Sequence, residues 1–75
     1  MRGIAQIVGK TITHVIVREG AVSPRNQVFL FFDDGTSYEI FTDAPYLGLS
    51  SQLGHSTADQ VRASLAAADR LYEAP

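Results

Sequence analysis

Two histidines and eight acidic residues are the groups in this chain that could do acid, base or metal chemistry, and six serines offer hydroxyls for nucleophilic attack. A metal site needs three or four converging ligands, and His14 and His55 stand in none of the HxH, HxxxH or HExxH spacings that bring imidazoles together. The plain reading of both is a hydrogen-bonded or surface histidine, with no metal and no cofactor. Asp33 and Asp34 stand side by side as an acid and base pair would, yet two aspartates before Gly35 are first of all turn formers. Ser23, Ser37, Ser50, Ser51, Ser56 and Ser64 include no GxSxG elbow. The run from Gly48 to Gly54 lacks the preceding strand and immediate helix that a phosphate-cradling loop requires. Beside it, His55 and the amides of Thr57 to Asp59 could meet an anion at a helix start, a position for which Asp59 competes. A small enzyme would place its pocket at Tyr46, His55 and Asp43.

What positions these residues is a β-hairpin. Val28 to Phe32 and Thr36 to Thr42 are rich in β-branched and aromatic residues and flank Asp33-Asp34-Gly35, the strongest structural signal in the sequence. A two-residue turn at Asp34-Gly35 would set Phe31 and Phe29 opposite Tyr38 and Ile40. A three-residue turn closed by Gly35 as a bulge sets Leu30 and Val28 there instead. The bulged form is preferred, because both aspartates suit right-handed turn positions and only Gly35 then needs a positive φ. In either register the first strand is apolar on both faces, so something must cover the second one.

Around the hairpin the other elements fall into order. Thr11 to Arg18 reads as a strand that pairs with Val28 to Phe32 across a loop over 19–26. Ile4, Ile7 and Val8 fit a helical turn or an irregular strand. Residues 43–56 read as a long loop holding Tyr46, Leu47, Leu49 and Leu53. Thr57 with Gln60 forms a capping box, and Ala58, Val61, Leu65, Ala68 and Tyr72 recur at helical spacing, which predicts one amphipathic helix to about Glu73.

The expected fold is a single α+β domain over 1–75, a three-stranded or four-stranded antiparallel meander packed on one C-terminal amphipathic helix in the order β-β-β-α. One helix covers one face, which leaves Phe29, Phe31 and Phe41 as an apolar interaction face on the other. The expected function is a small non-catalytic interaction or regulatory module, a homodimer through that face or a binder of another protein. Phe31→Glu is then expected to dissociate the dimer. The competing possibility is that the 43–56 loop and the N-terminus fold over the face and leave a monomer. Single-stranded nucleic acid stacking on the same phenylalanines, with Arg18 and Arg25 nearby, is the main functional alternative. Six Lys and Arg scattered along a chain of net charge −2 and pI near 5.4 give it no clustered phosphate-binding surface. With no cysteine and no apolar run of membrane-spanning length, the sequence suits a soluble cytoplasmic protein without a membrane partner.

Overall fold

The computed structural model describes residues 4–20, 26–42, 50–64 and 70–75. A turn of 3-10 helix at Ile4–Ile7 leads to β1 (Ile12–Glu19), β2 (Asn26–Phe32), β3 (Ser37–Thr42), β4 (Ser50–Gly54), α1 (Ala58–Ser64) and β5 (Arg70–Ala74). The strands form one antiparallel sheet in the order β4-β3-β2-β1-β5, so β2, apolar from Val28 to Phe32, is central and β5 lies on the outer edge of β1. No helix among the described residues is long and apolar enough to cross a membrane.

The hairpin adopts the bulged form. Gly35 has φ +83°, its N–H donates to the Phe32 carbonyl at 3.4 Å, and the Phe32 N–H donates to the Thr36 carbonyl at 2.9 Å. Leu30 consequently pairs with Tyr38 and Val28 with Ile40. Asp34 fixes the turn by accepting the Thr36 N–H at 2.9 Å and bonding Lys10, contacts that hold its carboxyl far below the usual carboxylate range, with Lys10 the largest cause.

The sequence-based architecture needs correction in two places. Among the described residues the sheet has five strands, and the helix stands between β4 and β5 rather than at the C-terminal end. Part of the stretch read as a loop is β4, because β3 presents a row of backbone groups that need partners, and Ser50–Gly54 supplies them despite modest strand propensity. Residues 70–74, read as the end of the helix, are strand. Helix propensities differ by only tenths of a kcal/mol per residue, and pairing five residues with the exposed edge of β1 outweighs them. Of the segments expected to pack over the sheet, 43–49 lies outside the described residues.

One core cluster lies under α1, while Tyr38 (1% exposed) and Phe32 (6%) are buried outside it. Ile16, Phe29 and Phe31 of the sheet meet Val61, with Ala58 against them; Ile16 is fully buried and the other three are at most 8% exposed. Small residues, Ser37 and Gly54, pair with one another on this face beside Phe31, which leaves room for the chain to turn from β4 into α1. The helix starts at the predicted capping box. Gln60 N–H donates to Thr57 Oγ1 at 3.1 Å, and Thr57 N–H donates to Gln60 Oε1 at 2.9 Å.

Candidate functional site

Where the hairpin end meets the start of α1, the surface folds into a cleft of about 340 Å³. Phe31 and Phe32, both 6% exposed, supply its aromatic side. Thr13 and His14 border it from β1, Gly35 and Thr36 from the turn, and Ser56 to Ala58 from the start of the helix. A shift of register between Ile12 and His14 breaks the regular β1–β2 pairing beside it.

His14 is the residue here with acid-base chemistry. It stands beside Phe31 on the strand ladder, and the two rings meet edge to face with centroids 6.0 Å apart. Its Nε2 lies 3.0 Å from Glu73 Oε1. An ionised carboxylate only accepts, so Nε2 carries the proton in this contact and a neutral ring keeps Nδ1 as an acceptor. Among the described residues that second nitrogen has no partner within the chain. Glu73 Oε1 also accepts from Arg62 Nε, and Arg62 reaches Asp59 as well. His14, and then Arg62, pull the Glu73 carboxyl below its usual range, while Glu73 and then Asp59 raise the Arg62 guanidinium. One carboxylate thereby ties β5 to both β1 and α1.

Further along the helix-covered side runs a polar row. Arg18, itself buried, donates to Gln27 Oε1 at 2.8 Å. Gln27 in turn bonds Glu39, whose carboxyl is pushed up by burial against the lowering effect of that bond. A cavity of about 50 Å³ between Phe29, Ser37, Glu39 and Gln52 is large enough for a water.

The residues singled out in the sequence are scattered. Phe29 and Phe31 lie beneath α1, and Phe41 is half-buried on the same side of the sheet beyond them. The apolar side chains that keep partial exposure on the opposite face are Val15, Val17, Val28, Leu30, Ile40 and Leu53. The bulged register was read correctly, but the helix covers the face opposite to the one expected. His55 is exposed between β4 and α1 and does not line the cleft. Tyr46 and Asp43 lie outside the described residues. No group of three or more metal-ligating side chains occurs among the described residues. The Thr57 amide is taken by reciprocal capping with Gln60, which removes one of the donors expected for an anion. His14 was passed over as a site residue because its partner Glu73 is 59 residues away, beyond the reach of any local spacing rule. A scan of family models, a search of curated proteins and a search of solved structures each found no match to this chain.

Proposed function

We propose that the chain is a non-catalytic interaction module that pairs with a second copy of itself through the sheet face opposite α1. One observation carries this reading: the strand register lines up two apolar rows across the whole sheet. Ala74, Val15, Leu30, Tyr38 and Leu53 form one row, in which Tyr38 is already buried at 1% exposure and the others are left to a partner; Tyr72, Val17, Val28 and Ile40 form the next, which ends at the polar Ser51 bonded to the Tyr38 hydroxyl. The charged residues in register with them, Glu19 and Arg70, are opposite each other in a third row at one end. A copy turned about a two-fold axis can therefore lay apolar rows on apolar rows without burying a lone charge.

Geometry also limits the strength of such a dimer. Five strands spaced about 4.8 Å apart, and rows about 7 Å apart, give a footprint of a few hundred Å², below the ~800 Å² per partner of a standard interface. Association is therefore weak and concentration-dependent. Nucleic acid gains nothing from this arrangement, because bases could stack on Phe29 and Phe31 only by displacing α1.

Light scattering coupled to size exclusion tests the reading, over a concentration series and at two salt levels. The expected mass rises from 8.1 kDa toward twice that value, equally at both salt levels, and Leu30→Glu stays folded but monomeric. A mass fixed at the monomer value throughout, or a Leu30→Glu protein that dimerises like the parent, overturns it.

A further inference from the structure

We propose that the cleft at the hairpin end binds a small neutral aromatic molecule carrying one hydrogen-bond donor, of the phenol or indole class, its ring against Phe31 and its donor on His14 Nδ1. This site is separate from the two apolar rows and does not depend on dimerisation.

Size comes first. About 340 Å³ lies at the low end of volumes that hold small organic ligands, enough for one or two rings and too little for a nucleotide or a peptide. The lining then selects the chemistry. Phe31 with the His14 ring makes an aromatic surface, on which offset or edge-to-face contacts favour another ring over an aliphatic chain.

Polar groups around that surface are mostly already committed. Thr13 Oγ1 donates to the Phe31 carbonyl at 3.2 Å, Thr36 Oγ1 is bonded by Lys10 at 2.7 Å and to Asp34, and Thr57 Oγ1 caps Gln60. Two groups are left among the described residues, the second nitrogen of His14 and the Ser56 hydroxyl. In the neutral ring that donates Nε2–H to Glu73, His14 Nδ1 is an acceptor, the complement of a phenol O–H or an indole N–H.

Charge decides against an ionic ligand. The nearby Lys10 is paired with Asp34, and Glu73 is matched by Arg62, so no unpaired charge at the cleft compensates the desolvation of an anion or a cation.

The test is a two-dimensional amide NMR titration of the whole chain with p-cresol, indole and toluene, the last having the same ring but no donor. Saturable shifts are expected at Thr13, His14, Thr36, Ser56 and Thr57, with millimolar or tighter affinity for the two donors, as ligands of eight or nine heavy atoms allow. Toluene should occupy the same site more weakly. His14→Phe keeps a ring and removes the acceptor, so it should weaken p-cresol roughly tenfold and leave toluene unchanged. Ser56→Trp, at an exposed position on the cleft's border, should abolish all three titrations and serves if His14→Phe does not fold. Non-saturating shifts, shifts centred on Val28 and Leu30, equal p-cresol binding by the parent and His14→Phe, or undiminished binding by Ser56→Trp would overturn the proposal.

Discussion

Replacing Phe31 by alanine tests the central statement about this fold, that α1 closes the Phe29 and Phe31 side of the sheet. Phe31 is 6% exposed, belongs to the cluster of Ile16, Phe29 and Val61, and meets the His14 ring edge to face. Truncating a buried phenylalanine costs about 3–5 kcal/mol. The lower end applies here, since Phe31 borders a cleft into which water and neighbouring side chains can move. A chain of 75 residues carries roughly 4–11 kcal/mol of total stability, so a loss of about 3 kcal/mol removes a large fraction of it. At about 4–8 °C per kcal/mol for a domain of this size, the melting temperature should fall by roughly 12–24 °C. Urea unfolding followed by circular dichroism reads the first quantity, and a thermal scan reads the second. Leu30→Ala, on the opposite face and partly exposed, is the control and should cost clearly less when measured at concentrations that keep the protein monomeric. If Phe31→Ala lies within about 1 kcal/mol of the parent, or if Leu30→Ala is the more damaging change at such dilution, α1 does not hold this side closed and the assignment of faces fails. Phe31→Glu, expected from sequence to split a dimer, should instead unfold the chain, because it places an unpaired carboxylate among the core side chains.

Other expectations follow from the cap and the carboxylates. Thr57→Ala removes the side-chain oxygen that accepts the Gln60 N–H and should cost about 1 kcal/mol, seen as a lower urea midpoint with an unchanged slope. Glu73 has its pKa lowered in the folded state, so its contribution is present above the unfolded carboxylate value and is lost as pH falls through the lower folded one. Amides of β5 should therefore lose exchange protection on acidification before those of β2 do, and Glu73→Gln should remove that pH step. Glu39 has the opposite sign, its pKa being raised by burial, so its ionisation opposes folding as pH rises through and above the unfolded value. Glu39→Gln should raise the urea midpoint at pH 7.

Legibility of this fold in its sequence follows the range of the interactions. Asp33-Asp34-Gly35 announced the bulged turn, because a positive φ at Gly35 and the Asp34 bonds to its neighbours are local demands written in local residues. Thr57 and Gln60 announced the helix start for the same reason. What the sequence did not disclose was decided elsewhere. Ser50–Gly54 becomes a strand because β3 needs a neighbour, and Arg70–Ala74 leaves the helical pattern because β1 does too. Two apolar faces on β2 gave no local means of choosing which one α1 would cover. The same limit hid the cleft, since His14 acquires its setting from Glu73 on the far edge of the sheet.

The placement of β5 beside β1 bears on the order in which the sheet assembles. Its partners are as much as 59 residues apart, whereas β2 and β3 are joined by a three-residue turn and can meet almost at once. Closing so long a loop comes at an entropic disadvantage that only the later contacts of β5 offset. The hairpin should form early and the β1 edge should be covered late. Until then β1 presents an uncovered edge to its surroundings, so any competitor for that edge acts within this interval, and slow completion of the outer strand, rather than weakness of the core, would set how often chains go astray.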